Sequence, residues 1–533
     1  DMLRGKILFK ASDALSIKLS GDYTDKDDRE GAEFINLEGA PTQLGVAIGG
    51  TPSPGFYKSA NDSDAQLHLE QAGGELRIDL DVGGTTLSSI SGYRWSKLEA
   101  RGSDLDTVDL PFQHDNYTEA SNSYSQELQA VSDKTGPLTW IAGLYYFREG
   151  GDNTFNVFGQ AIDASVGVPS GPNVGTLDGG AALNAKADVT TESFAPYLEG
   201  SYQLTDQLQL TLGGRYTWEN KKLEENRVFL TGVVPGQQVP LFPPDGDRKL
   251  KFEKFSPKVS LNWKPISDVL LYVTYSRGFK SGGFNTPAFT PLVDSVEPET
   301  LDAYELGWKT EFGTVRFNGS VFYYDFKDLQ IQRTDQTSGG TRVENAAAAK
   351  IYGIETDITW ALTTAFELGV GGGLLQSEYK DYLGDAYVPA FSTQGCIAAG
   401  GVGSGNPACL GYAVEARDFS GDTLAQAPEA SAYVRAQYEI PLPDAMGVLH
   451  ANALYSYTDR YFYNPEHSLA EPSKNLVSAS VSWVSEGERF QLTAFGDNLL
   501  DEEYDILKVR QGTGGWHVPA LPRTWGVKLA ANF

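Results

Sequence analysis

Polar and apolar residues alternate with a period of two in segment after segment of this chain. In the last nine residues Trp525, Val527, Leu529, Ala531 and Phe533 fall on one face of a strand; Gly526, Lys528, Ala530 and Asn532 fall on the other. Val477, Ala479, Val481 and Trp483 likewise oppose Ser478, Ser480 and Ser482. Tyr304, Leu306 and Trp308 oppose Glu305 and Lys309, and Val315, Phe317, Val321 and Tyr323 oppose Arg316 and Asn318. Tyr352, Ile354, Thr356, Ile358 and Trp360 oppose Glu355 and Asp357. In every case the charges keep to one face.

Together with the turn signals, this pattern predicts a run of hairpins. Residues 3–10 pair with a strand marked by Leu15, Ile17, Leu19 and Tyr23, across a turn at Ser12-Asp13. Further pairs are expected at 74–82 with 85–98, 121–131 with 137–149, 191–203 with 207–221, and 250–264 with 269–280. The series continues at 299–311 with 314–327, 341–361 with 365–380, 427–440 with 447–460, and 473–485 with 488–497, then a lone strand at 522–533. Short connections (Gly83-Gly84, Pro265-Ile-Ser-Asp268, Phe312-Gly313, Glu486-Gly487) alternate with long polar ones at 24–63, 150–190, 222–249, 281–298 and 381–426. Loops of that length are unusual in a compact soluble domain, and here they share one phase.

No helical layer or second sheet is predicted that would cover the apolar faces. A closed barrel in lipid resolves this, because hydrocarbon covers the outer face and every backbone group pairs with a neighbouring strand. The fold class expected is therefore all-β: a large antiparallel transmembrane β-barrel of about 19 strands. Single-chain bacterial barrels normally have an even number, so an odd count predicts strands missing from the start. A helical membrane protein is excluded, since no apolar run approaches the ~20 residues a spanning helix needs.

Composition sharpens this in three places. The 27 Tyr, 26 Phe and 9 Trp suit aromatic girdles at two interfaces, or a carbohydrate-binding sheet protein. A formal net charge of −28 argues against nucleic acid as partner, whose phosphates need a basic surface. The two cysteines, Cys396 and Cys409, lie in one Gly/Ala-rich stretch. A disulfide between them would close a short loop, worth about 3 kcal/mol by chain entropy, and suits an oxidising compartment. No secretory leader opens the chain, so a mature or truncated segment is expected.

The segments Tyr275-Ser-Arg-Gly-Phe-Lys-Ser-Gly-Gly-Phe-Asn285, Tyr304-Glu-Leu-Gly-Trp-Lys309, Tyr352-Gly-Ile-Glu355 and Phe495-Gly-Asp-Asn-Leu-Leu-Asp-Glu-Glu-Tyr504 resemble the barrel half of TonB-dependent receptors. Pro522-Arg-Thr-Trp-Gly526 opening a last strand with an aromatic final residue is similar to that family too. The resemblance runs over essentially the whole chain, 1–533, as one barrel domain. It implies a bacterial outer-membrane receptor for energy-coupled import of scarce, bulky solutes, chiefly iron–siderophore complexes. The implied partners are the TonB inner-membrane coupling complex, outer-membrane lipid and lipopolysaccharide; no cofactor is implied. The family closes 22 strands round an amino-terminal plug. No plug sequence and no TonB contact box is recognisable here, so the chain is expected to begin at the fourth barrel strand. Cobalamin, nickel complexes and oligosaccharides are alternative cargoes. A passive pore and a soluble β-propeller are the rival readings.

The resemblance places ligand specificity on plug apices and outer loops. In the expected outer loops Tyr461, Tyr463 and His467, and Trp516 with His517, could stack against a flat, partly anionic chelate; for Tyr461 and Tyr463 the outer girdle is the favoured reading. Arg277, Phe279 and Lys280 end a strand at the predicted rim, facing either an anionic ligand or lipopolysaccharide phosphate. Inward-facing Glu305, Arg316, Glu355 and Asp357 either face a plug or line a hydrated wall. Asp22, Asp25, Asp27, Asp28 and Glu30 offer oxygen ligands for Ca²⁺, without the regular spacing of a calcium loop, so a solvated loop is the expectation. His68 and His450 show no second ligand in register, so metal is not expected there. No Gly-x-Ser-x-Gly elbow, phosphate loop or His-Glu-x-x-His motif suggests an enzyme.

Overall fold

Strands bearing one apolar face can pair edge to edge without limit until the sheet curls or closes, and this chain lines up nineteen long strands in that way. The computed structural model describes residues 1–28, 35–36, 49–51, 53–63, 65–104, 108–111, 113–133, 135–167, 180–334, 341–346, 348–389, 412–443, 446–511 and 514–532. Cys396, Cys409, Glu30 and Phe533 lie outside these residues. The long strands are β1 (Met2–Lys10), β2 (Leu15–Asp28), β3 (Gln66–Asp81), β4 (Thr85–Asp104), β5 (His114–Ser132), β6 (Leu138–Phe158) and β7 (Ala182–Thr205). They continue as β8 (Leu208–Thr231), β9 (Asp245–Ile266), β10 (Val269–Lys280), β11 (Glu299–Phe312), β12 (Val315–Lys327) and β13 (Ala348–Ala361). The last are β14 (Phe366–Asp381), β15 (Ala430–Pro441), β16 (Val448–Thr458), β17 (Lys474–Val484), β18 (Phe490–Asp497) and β19 (Thr524–Ala531). A two-residue strand, Val239–Pro240, completes the 20-stranded sheet.

Each long strand runs antiparallel to the next, with no crossover. Nine connections at one end are short, none exceeding the six residues 442–447, and all those at the other end are longer. Val82 N–H bonds to the Thr85 carbonyl at 2.8 Å across Gly83 and Gly84, whose φ values are +52° and +87°. Both central residues lie in the left-handed region, where only glycine is unstrained, and the resulting turn matches the twist of its strands.

Register decides what faces what. Leu306 stands opposite Val321, Val321 opposite Ile354, and Ile354 opposite Leu374. These four are 53%, 45%, 39% and 62% exposed, so no protein covers them. The next row up is aromatic. Tyr275, Tyr304, Tyr323 and Tyr352 lie side by side in register on β10 to β13, with ring centroids 5.1 Å apart for Tyr275–Tyr304 and 6.3 Å for Tyr304–Tyr323. Trp263, Phe312 and Trp360 bound the band at the short-turn end and are likewise exposed. Tyr323 and Val315 are eight residues apart on β12. At about 3.4 Å per residue and roughly 40° of tilt they are separated by ~21 Å across the membrane, close to the ~25 Å apolar band of such barrels.

The opposite face is polar and internally paired. Glu199 meets Lys258 at 3.0 Å, Lys18 meets Glu75 at 3.0 Å, and Arg94 meets Asp22 at 3.2 Å. Hydroxyl pairs such as Ser201–Thr211, at 2.7 Å, and Ser260–Thr274, at 2.8 Å, fill the gaps. Among the described residues, two buried apolar clusters lie instead at the long-loop end. One gathers Ile331, Ala346, Ala349, Tyr379, Tyr382, Ala386 and Phe419; the other gathers Ala187, Leu223 and Val293.

The architecture expected from the alternation is the one observed, with differences beyond the membrane. β7 and β8 are 24 residues long, and most of the loop expected at 222–249 is strand. Above the bilayer both faces are wet, so the ladder continues where the alternation fades. Residues 341–361 are not one strand: Thr341–Asn345 pairs with Gln330–Thr334 in a loop hairpin, and only Ala348–Ala361 joins the barrel. Asp22, Asp25, Asp27 and Asp28 are strand residues of β2, not a solvated loop. Alternation separates them, putting Asp25 and Asp27 on the face of Tyr23. A short helix, Gln160–Val166, sits in the loop layer. Among the described residues, β1 and β19 each have a single sheet neighbour.

Leu306→Arg places a cation in the middle of the apolar band and should destabilise the barrel by roughly 2–4 kcal/mol. Ser320→Arg, on the polar face beside Glu355, should cost little. Urea unfolding in lipid vesicles measures both.

Candidate functional site

The long connections build a packed layer over the open end of the sheet, and buried charge networks hold it together. The first joins three loops. Arg333 donates to Glu344 Oε1 at 3.0 Å and to Glu466, Arg342 donates to Glu344 Oε2 at 3.0 Å, and Tyr382 donates to Glu344 Oε1 at 2.8 Å. Burial pushes the Glu344 carboxyl up, but hydrogen bonds from Tyr382 and Arg333 outweigh it, and the net shift is down. Burial also raises the Tyr382 hydroxyl, with the Arg333 charge opposing and the Glu344 carboxylate adding.

The second network ties the loop after β16 to the loop after β18. Glu471 and Asp505 are 1% and 3% exposed. Lys508 Nζ reaches Glu471 Oε2 at 3.1 Å and Asp505 Oδ2 at 3.0 Å, and His517 Nδ1 lies 2.5 Å from Asp505 Oδ1. Tyr463 donates to the Asp505 carbonyl at 2.6 Å. Burial, the Tyr461 hydroxyl and the Glu471 carboxylate all push the Tyr463 hydroxyl upward. The strand Gly514–Pro519 pairs with both Asp505–Gln511 and Ile35–Asn36, so this network also anchors a segment from early in the chain.

The candidate ligand residues divide. Tyr461, Tyr463, His467, Trp516 and His517 share the loop layer. Tyr461 and Tyr463 follow the end of β16 at Thr458, with rings 5.3 Å apart. Tyr463 and His517 are engaged in the buried network, and Trp516 is buried. His467 stacks on Phe462 at 4.0 Å and 9°, and its Nε2 lies 2.9 Å from the Thr423 carbonyl. Cations border this patch: Arg460 lies 4.8 Å from the Phe462 ring, and Lys474 Nζ lies 5.2 Å from Tyr461 and 4.7 Å from Tyr504.

Arg277, Phe279 and Lys280 are elsewhere, at the outer end of β10. Arg277 and Phe279 share the parity of Val273 and Tyr275, which places them on the lipid side; Lys280 has the opposite parity. Arg277 forks onto Asp302 at 2.7 and 2.9 Å, and Tyr275 donates to the same carboxylate at 2.8 Å. Of the inward residues, Glu305 accepts from Tyr272 and Asp357 from Tyr433. Arg316 and Glu355 are exposed to the lumen. A recess of about 550 Å³ in this wall is lined by Tyr272, Lys309, Asn318, Glu355, Asp357 and Tyr433 among others.

Two histidines depart from the sequence reading. His68 does have partners in register: Asp27 is its direct cross-strand neighbour, with Nδ1 2.6 Å from Asp27 Oδ1 and 3.8 Å from Asp25 Oδ1. His450 lies 3.4 Å from Glu439. His114 was missed altogether. It begins β5 opposite Asp104, the last residue of β4, and its Nε2 lies 2.7 Å from Asp62 Oδ1. Only recognition of the 85–132 hairpin out to its tip would have exposed that pairing.

A curled antiparallel sheet with an exposed apolar band, aromatic borders and a polar interior defines a transmembrane β-barrel of the outer-membrane class. The chain matches the family described as TonB dependent receptor-like, beta-barrel, over residues 9–499, and it belongs to that family. It is an outer-membrane protein. The rhizobactin receptor of Rhizobium meliloti (strain 1021) is 21% identical over 404 residues, covering 71% of this chain and 51% of that protein. The chain thus spans about half the length of that curated relative. The ferric yersiniabactin uptake receptor FyuA of Yersinia pestis superposes with a TM-score of 0.73 at 15% identity, covering 100% of this chain and 70% of that one. The siderophore receptor PiuA of Acinetobacter baumannii gives 0.71 at 16% identity, covering 99% and 73%.

Lys508→Ala removes the cation shared by two buried carboxylates and should cost roughly 3–5 kcal/mol within the loop layer. Hydrogen exchange in micelles should rise at 461–471 and 505–519 and stay unchanged in β7 to β9. Glu344, with a folded pKa below its ordinary 4.5, adds stability that is complete above that value and is lost as pH falls through the depressed one. Acid proteolysis as pH drops from about 5 should therefore cut the 330–345 hairpin before any barrel strand.

Proposed function

We propose that this chain is the barrel domain of an outer-membrane receptor for energy-coupled import of iron–siderophore complexes. The observation that carries the reading is the family match across nearly the whole chain. The names of similar proteins, receptors for rhizobactin and ferric yersiniabactin, support this cargo class. In this proposal the outer loops capture the chelate. Tyr461 and His467, with Arg460 and Lys474 beside them, offer stacking faces and positive charge to a flat, partly anionic ligand. Tyr463, Trp516 and His517 support that surface from beneath. Arg277, Phe279 and Lys280 are proposed as rim contacts, with Arg277 turned toward lipid headgroups.

The family's plug would meet Glu305, Arg316, Glu355 and Asp357, of which Arg316 and Glu355 have exposed side chains to offer. TonB would supply the pull that opens a path past this wall. The role is that of a receptor and transporter, not of an enzyme. Cells lacking their own ferric-siderophore receptors, given the gene for this protein, should accumulate a radiolabelled ferric siderophore, and a protonophore should abolish uptake. Passage indifferent to the protonophore would mark a passive pore. Uptake of cobalamin or an oligosaccharide but no ferric chelate would replace the cargo.

A further inference from the structure

Metal-ligating side chains also converge in the loop layer on residues outside the proposed cargo set. Asp62, Asp104 and His114 bring one ligand atom each to within 4.8 Å of one another. They come from three segments: the loop ahead of β3, the end of β4, and the start of β5. Asp104 and His114 are 1% and 2% exposed, while Asp62 retains a solvent-facing side chain. One imidazole nitrogen and two carboxylate oxygens gathered this closely form a donor set that a single divalent cation can bind together.

The surroundings hold the three groups in place. The Ser63 hydroxyl, next to Asp62, donates to the Gly102 carbonyl at 2.7 Å, and Gly102 N–H donates to Asn116 Oδ1 at 2.8 Å. Gly102 precedes Asp104 by two residues and Asn116 follows His114 by two, so both strand ends and the loop are pinned to one backbone unit. Gly102 has a φ of +68°, where the β4–β5 register shifts. That bulge turns Asp104 directly opposite His114. The Phe158 ring stacks on the imidazole at 5.7 Å and 20°, closing its flank with an apolar wall.

We propose that Asp62, Asp104 and His114 form a binding site for a divalent transition-metal ion of the zinc class, tying the loop before β3 to the β4–β5 tip. One nitrogen and two carboxylate oxygens suit such an ion better than Ca²⁺, which takes six or more oxygens. With metal–ligand bonds of ~2.0–2.2 Å, ligand atoms on one ion sit roughly 3–4 Å apart, so capture needs shifts of under about 1 Å. Asp62, at the solvent side, provides the entry, and water completes the coordination. The exposed trio Asp25, Asp27 and His68 is the internal comparison. It has the same residue types, but its carboxylates are 40% and 85% exposed, so an ion there would have to displace bound water and hold side chains that nothing buries.

The test uses the untagged 533-residue chain folded in micelles and titrated with Co²⁺, whose visible bands report coordination. One Co²⁺ should bind with bands characteristic of nitrogen and oxygen ligands. Zn²⁺ should displace it, and millimolar Ca²⁺ should not. His114→Gln and Asp104→Asn should each weaken binding by more than the ~10–100-fold that loss of a supporting partner costs, and Ser63→Ala by about 10-fold. His68→Ala should bind as the parent does. Far-UV circular dichroism and heat-modifiable gel mobility separate these effects from misfolding. Absence of a bound-cobalt spectrum in the parent chain would overturn the site, as would bands that survive His114→Gln or vanish with His68→Ala. Displacement by Ca²⁺ as effective as that by Zn²⁺ would overturn the assignment to a zinc-class ion.

Discussion

A peptide group in hydrocarbon has no water to bond with, and each unpaired N–H or C=O there costs several kcal/mol. That cost fixes the architecture. A strand in lipid must pair along its edges, so pairing propagates from neighbour to neighbour through nineteen long strands without a crossover, and of these only β1 and β19 have a single neighbour among the described residues. Hydrocarbon then shields what no protein shields. The row Leu306, Val321, Ile354 and Leu374 is in register, apolar and open. With period two this outward row leaves the alternate row facing inward, where charges are tolerated because they pair with one another, as in Lys258–Glu199 and Arg94–Asp22.

The same logic explains why the buried apolar clusters among the described residues lie outside the membrane. Loops above the bilayer meet water and must fold as soluble protein does, by burying side chains and pairing what they bury. Their charges sit deep, as with Glu471, Asp505 and Arg333, so each is held by several partners. A surface assembled this way presents aromatic rings and cations in fixed positions, which is what recognition of a rigid chelate requires. It also joins loops distant in sequence, so a ligand at Tyr461 would feel restraints originating at Ile35–Asn36 and at the tip beyond β18.

The barrel was legible because two independent periodicities agreed: alternation within strands, and short turns alternating with long loops between them. Where one signal failed, so did the reading. Beyond the girdle the faces no longer differ in polarity, and the outer thirds of β7, β8 and β9 passed for loop. At 341–361 a five-residue loop strand and a 14-residue barrel strand, separated by two alanines, read as one strand. The outward direction of Arg277 was readable, since it shares parity with Val273 and Tyr275. The pairing of Asp104 with His114 was not, because a register shift at Gly102 breaks the alternation that would have predicted it.

The central claim, that lipid covers the outward face, is tested most directly by spin labels placed one at a time at residues 315 to 323 of the chain in liposomes. Oxygen partitions into hydrocarbon and water-soluble nickel chelates do not. Oxygen accessibility should peak at 315, 317, 319, 321 and 323, with chelate accessibility peaking at the positions between. An accessibility profile without a two-residue period, or one in which the odd positions are shielded from oxygen, would contradict it.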